Sequence, residues 1–369
     1  MALFTDQSSE RTGEPRRRGG LKGWVVLGVA LVAGIALGVV PSPYVIEQPG
    51  PVFNTLGTAP NADDVETPLI TIPDETVYPT EGNLDLLTVS VFGNRETRPS
   101  WLAVATAWFD PSRAVIPLDQ VFPDDVTTEQ RDSVNQAAMV NSQQDAIAAA
   151  LTHLKYDYPT NVSVVSLPDG SPAEGILQEG DVIIAVDGTS VGSIGALRAA
   201  LQETGPDAPV AVDILREGAA QTVQVTPVEN AGSVVLGINV TTTYQFPFTV
   251  DLELDRVGGP SAGMMFSLGI IDKLTPGSLQ GGAHVAGTGT IDQAGDVGPI
   301  GGIQQKLYGA KDAGAEWFLA PAESCGDVTG HIPDGLTVFS VKTLDDALTA
   351  LDAIRTGADT SALPSCPTK

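Results

Sequence analysis

Six residues, Gly258-Gly259-Pro260-Ser261-Ala262-Gly263, constrain this chain more than any other stretch. They follow a strand-like run at 252–257 and open an almost uninterrupted apolar segment at 262–274 (AGMMFSLGIIDKL). Glycine and proline at that junction impose a sharp turn, and the apolar segment predicts a buried helix. Ser261 then stands at a helix N-terminus, where unpaired backbone N–H groups and the helix dipole favour negative charge. A plain N-capping serine is the alternative reading of the same position.

A serine hydroxyl is inert without a base. No histidine is near in sequence, but Lys306 follows 45 residues later in PIGGIQQKLYGA, at the start of a second predicted helix. Lysine accepts a proton only when burial lowers its pKa, and the apolar neighbours here are of the kind that do so. A solvated helical lysine is the alternative. Main-chain N–H groups at Gly259, Ser261 and Ala262 are the candidate oxyanion donors.

The formal net charge of −26 leaves few cations to track a phosphate backbone, so nucleic acid is not expected as a partner. The charge is uneven. Residues 1–22 carry five basic against three acidic side chains, and an uncharged apolar run of 17 residues follows at 24–40 (WVVLGVALVAGIALGVV). A basic head before such a run predicts a transmembrane helix at 23–41, preceded by a disordered cytoplasmic tail at 1–22. A cleaved signal ending near Ala36-Leu37-Gly38 is the competing reading, and either one exports everything after residue 41.

The two cysteines, Cys325 and Cys366, form one disulfide or remain two thiols; sequence gives no distance. His153, His284 and His331 are scattered and no CxxC occurs, so neither a metal nor another cofactor is expected. No Walker-type phosphate loop is present, which removes an ATPase module from consideration.

Composition divides the rest. Residues 42–126 read as a Pro/Gly-rich stalk passing into strands, and 127–157 as an Ala/Gln-rich amphipathic helix. Residues 158–229 alternate strand, turn and helix signals, with an Asp187-Gly188 hairpin signal after VIIAV. The pattern SPAEG, then GDVI, then VDG resembles a PDZ domain. That resemblance implies binding of an extended peptide added as a strand. The lead-in KYDYPTN lacks the Gly-rich carboxylate loop such domains carry, so a spacer or lid is the other reading.

Residues 230–354 resemble the proteolytic domain of the Lon proteases. GPSAG is similar to the segment that carries the nucleophile there. The later stretch, Thr288-Gly289-Thr290-Ile291, Gly295, Val297, Pro299 to Gly302, Lys306-Leu307, Ala310 and Ala313-Gly314, is similar to the segment that carries the base. The resemblance implies Ser261 as nucleophile, Lys306 as base and Thr288, 18 residues earlier, as the hydroxyl that orients the amine. Gly258 departs from the acidic residue those proteins place three before the serine. His284 is not needed by such a pair and is expected to be structural.

The expected fold is therefore α+β and multidomain: a transmembrane helix, a β-rich PDZ-like domain, a Lon-type α/β proteolytic domain, and a tail at 355–369. The order resembles a bacterial group of membrane-anchored, PDZ-containing Lon-like serine proteases. It implies an ATP-independent extracytoplasmic endopeptidase held to the cell membrane by one helix, with the N-terminus cytoplasmic. The implied partners are protein or peptide substrates and, since Lon-type domains assemble into rings, a homo-oligomer of no stated subunit count. A catalytically silent, membrane-anchored peptide-binding scaffold is the rival from another class.

Overall fold

The structure, a computed structural model, describes residues 20–61, 64–123, 127–230, 232–254 and 257–367. The basic tail expected at 1–22 lies outside them up to residue 19. In chain order the elements used below are α1 (Gly20–Val39), β1 (Tyr44–Asn54), β2 (Asn83–Phe92), α2 (Trp101–Ala107), β3 (Ala114–Pro117), α3 (Thr128–His153), β4 (Thr160–Ser166) and β5 (Val182–Val186). They continue with α4 (Ile194–Thr204), β6 (Val210–Arg216), β7 (Ala219–Val225), β8 (Asn239–Tyr244), α5 (Gly263–Leu274), β9 (His284–Gly287), α6 (Ile303–Asp312), β10 (Trp317–Pro321), β11 (Thr337–Val341) and α7 (Leu344–Thr356).

The chain divides into two units. The first holds the segment ending at Pro49 together with Ser90–Thr127. Its α1 corresponds to the apolar run, yet among the described residues no helix is long and apolar enough to cross a membrane. Beyond α1, Trp101 N donates to the Val40 carbonyl at 3.3 Å, and Ser42 N to that of Pro99 at 2.8 Å, so α2 is tied to the end of α1. The first residues of β1 pair antiparallel with β3, and Val45, Leu118 and Phe122 form a small core.

The second unit comprises Gly50–Val89 and Thr128–Lys369. Here β11, β10, β9 and β2 lie side by side, all parallel, with the second half of β1 beyond β2. The stalk expected from residue 42 is thus partly sheet. Strand residues alternate between two layers, as a period of two requires. Val285, Leu319 and Phe339 face a core shared with α3, α5 and α7, whereas Ala286, Phe318 and Val338 pack with Ile303, Leu307 and Ala310 of α6. A parallel sheet needs both faces covered, and these helices cover them. Helix α5 is buried at every position from Gly263 to Asp272, which explains an apolar sequence with no polar face.

The PDZ-like unit has its own core and a sheet ordered β7, β6, β5, β4, β8, antiparallel at every pairing. Asp187 and Gly188 take φ of 46° and 78°, the left-handed pair that a two-residue hairpin of this hand requires. Asp181, almost fully buried, receives Nε and Nη2 of Arg216 at 2.8 and 2.7 Å. The sheet ends with β8 rather than near residue 229, because Asn239–Tyr244 pairs along β4. Entry and exit therefore lie on neighbouring strands. An aromatic cluster joins them to the larger core: Tyr158 packs edge-on to Phe246, Tyr156 edge-on to Phe248, and the Tyr244 hydroxyl donates to Asp145 of α3 at 2.7 Å.

Cys325 and Cys366 are disulfide-bonded across 41 residues. The bond fixes the tail beside β11, where Ser340 N donates to the Pro364 carbonyl at 2.9 Å. Closing a loop of that length restricts the unfolded chain, so Cys366→Ser is expected to lower unfolding free energy by about 2–4 kcal/mol. Denaturant titration of the oxidised protein tests this, and an unchanged midpoint would contradict it.

Candidate active site

The site lies at the carboxyl ends of the parallel strands, the usual location for a site in an α/β sheet. β9 ends at Gly287, and Thr288 follows with its N–H on the Leu319 carbonyl of β10 at 3.1 Å. The turn before α5 comes alongside. Gly289 N donates to the Ser261 carbonyl at 2.9 Å, and Met264 N to the Gly289 carbonyl at 3.1 Å. A Cβ at Gly289 would lie 2.8 Å from Val297 Cγ1, so this approach requires glycine.

Lys306 reaches the same point from the opposite layer. Helix α6 starts after Gly302, which has φ of 66° and lies so close to Val89 that a Cβ would meet its Cγ2 at 2.6 Å. That start sets Lys306 one turn into the helix with its side chain directed inward. The amine Nζ is 2.8 Å from Ser261 Oγ and 3.0 Å from Thr288 Oγ1. Thr288 passes its own hydrogen on, donating to the Ser261 carbonyl at 3.0 Å. The structure thus brings Ser261, Lys306 and Thr288 together.

Lys306 is only 3% exposed and Thr288 is fully buried, while Ser261 keeps partial access to solvent. Burial alone pushes the lysine from its ordinary 10.5 down to about 7. The neutral amine then carries a lone pair at neutral pH. In that form the 2.8 Å contact runs the other way, with the serine O–H donating to Nζ.

The expected oxyanion donors separate into two kinds. Gly259 N–H is already taken by the Asn135 carbonyl of α3 at 2.9 Å, so in this conformation it is removed from the expected set. The N–H groups of Ser261 and Ala262 meet no acceptor among the described residues. Ser142, also on α3, donates its hydroxyl to the Pro260 carbonyl at 2.8 Å. Neither Asn135 nor Ser142 was signalled by the sequence, being more than a hundred residues from the turn they touch. His284 sits at the opposite end of β9, its Nε2 2.5 Å from Asp85 Oδ2, and takes no part in the cluster.

Residues 256–353 match the Lon protease (S16) C-terminal proteolytic domain, and residues 130–226 match the PDZ domain. Over 93 residues the chain is 36% identical to Lon protease 1 of Sorangium cellulosum and 36% identical to Lon protease of Haemophilus influenzae. Each match covers 24% of this chain and 11% of the relative, so the chain spans about a tenth of the length of these proteins. Among solved structures, the PDZ domain of an SdrC-like protein from Listeria innocua aligns at 23% identity. It covers 22% of this chain and 92% of that one, with a TM-score of 0.21. A Lon-type proteolytic domain and a PDZ domain are both present in this chain.

The buried amine has a thermodynamic signature. An unfolded chain holds the lysine proton up to about pH 10.5, whereas the folded chain releases it near 7. Stability therefore rises with pH across that window. Lys306→Met removes the penalty and is expected to stabilise the fold by roughly 2–4 kcal/mol at pH 6, lost hydrogen bonds allowed for. The gain should shrink towards pH 10 in denaturant titrations, and a pH-independent difference would contradict the assignment.

Proposed function

We propose that this chain is an ATP-independent serine endopeptidase in which Ser261 and Lys306 form the catalytic dyad and Thr288 orients the amine. The carrying observation is the lysine amine 2.8 Å from the serine hydroxyl, with burial lowering its pKa to about 7. Ser261 Oγ attacks the scissile carbonyl carbon while its proton passes to Nζ. The resulting oxyanion is held by the Ser261 and Ala262 N–H groups at the start of α5. Collapse breaks the C–N bond, and the ammonium of Lys306 returns the proton to the departing amine. Water then attacks the acyl-enzyme, with Lys306 again taking a proton and Ser261 recovering its own.

Thr288 has a directional role. Its hydrogen goes to the Ser261 carbonyl, so its lone pairs face the lysine and accept one N–H. With one N–H so held, the single lone pair of the neutral amine is free to face Ser261.

The PDZ domain recruits or gates extended peptides, which suits cleavage of accessible or unfolded segments. We further place the catalytic domain outside the cytoplasm on a single N-terminal membrane helix. The basic head and apolar run support this reading. So does the disulfide, which persists in oxidising compartments. In the first unit, Trp108 and Phe109, which follow α2, are 61% and 90% exposed, as aromatic side chains at a membrane interface are.

The purified chain is expected to hydrolyse an unstructured polypeptide without ATP and in the presence of a chelator. Ser261→Ala and Lys306→Ala should each reduce kcat by about 10³-fold or more, with the fold retained. Unchanged turnover in either folded variant would contradict the dyad. Because the base must be neutral, the rate should fall about tenfold per pH unit below 7 and level off above it. A flat profile between pH 5.5 and 8 would contradict a lysine base.

A further inference from the structure

Helix α3 touches the nucleophile's turn at two peptide units, Gly258–Gly259 and Pro260–Ser261. Asn135 offers its carbonyl to Gly259 N–H, and Ser142, two turns further along, donates its hydroxyl to the Pro260 carbonyl. A serine inside a helix normally returns its hydroxyl to a carbonyl of its own helix one turn back. Ser142 instead reaches a different segment, and it does so at 4% exposure, where a misplaced hydroxyl is costly.

The direction of that bond matters. In a planar trans peptide unit the C=O and N–H point opposite ways. Fixing the Pro260 carbonyl onto α3 therefore aims the Ser261 N–H away from α3. The following unit is fixed by the same logic: the Ser261 carbonyl, held by Gly289 N–H and Thr288 Oγ1, aims the Ala262 N–H. Each candidate oxyanion donor is thus one half of a peptide plane whose other half is anchored. Room for the Ser142 hydroxyl comes from Gly263, where an added Cβ would lie 2.9 Å from its Oγ.

We infer that Ser142 is a positioning residue for the oxyanion site, acting through the Pro260–Ser261 peptide plane. This rests on the proposed role of Ser261, and Ser142 itself touches neither substrate nor the lysine amine. An oxyanion donor stabilises only the charge that develops in the transition state, so its misalignment lowers kcat while ground-state binding is kept.

In the full-length protein, Ser142→Ala is expected to lower kcat by roughly 10- to 100-fold, with KM held within about threefold. The pH midpoint of the rate should not move. A peptide boronate, whose serine adduct is tetrahedral and anionic, should bind more weakly by the same factor as kcat falls. Ser142→Cys, which fills the space with a weaker donor, should give an intermediate loss and carries the test if the alanine variant does not fold. The inference is overturned if folded variants keep kcat within threefold, or if the loss comes with a shifted pH midpoint or a parallel rise in KM. Ser261→Ala serves as the separate control: full turnover there would refute the nucleophile itself, whereas loss there with no effect at Ser142 refutes only the positioning role.

Discussion

A primary amine with no charged partner among the described residues, held beneath a partly exposed hydroxyl, is the arrangement on which the rest of this structure depends. Removing an ammonium from water is unfavourable, and the fold meets that cost by letting the amine lose its proton near pH 7. Every neighbouring feature has to keep water and counter-charge away while leaving the serine open. A carboxylate within a few ångströms would undo the effect, because it would restore the cation. Burial is what lowers the lysine's pKa, and among the described residues the groups at hydrogen-bond distance from its amine are two hydroxyls rather than acids.

That requirement accounts for much of the surrounding architecture. The amine arrives from α6 on one face of the sheet and the serine from α5 on the other, so they can meet only at the strand ends. Glycines let the segments approach: Gly289 against Val297, Gly302 against Val89 and Gly263 against Ser142 would each clash with a larger residue. Helix α3 then closes the turn from outside and leads directly into the PDZ domain, whose exit strand is tied back to Asp145. The PDZ domain and the nucleophile's turn thus share one helix.

What the sequence revealed follows from where the constraints are local. The strand, glycine turn and buried helix around Ser261 are legible because backbone conformation and hydropathy change over a few residues. Lys306 and Thr288 are legible through the resemblance of the longer motif to the Lon-type segment, since a lone lysine on a helix reads equally as a solvated one. Helix α3 and the Asp187-Gly188 hairpin are equally local. The contributions of Ser142 and Asn135 were not legible, since an Ala/Gln-rich helix gives no sign of which turn it will cover more than a hundred residues later. β8 escaped for a related reason: NVTTTY is a polar strand whose identity comes from pairing with β4. The stalk reading likewise gave way because the prolines of β1 are tolerated at a strand that pairs incompletely. Gly259 shows the limit of motif reasoning, because its N–H is available from sequence and occupied in the fold.

The most direct measurement is the titration of the lysine itself. Carbon-13 at the ε position of lysine, followed by NMR across pH 5 to 11, reports each amine's protonation, and Lys306→Met identifies the signal. The account requires the Lys306 signal to lose its proton near pH 7, far below the ordinary lysine value of 10.5. If the Lys306 signal instead titrates with the others, the amine is a solvated cation and no base stands beside Ser261.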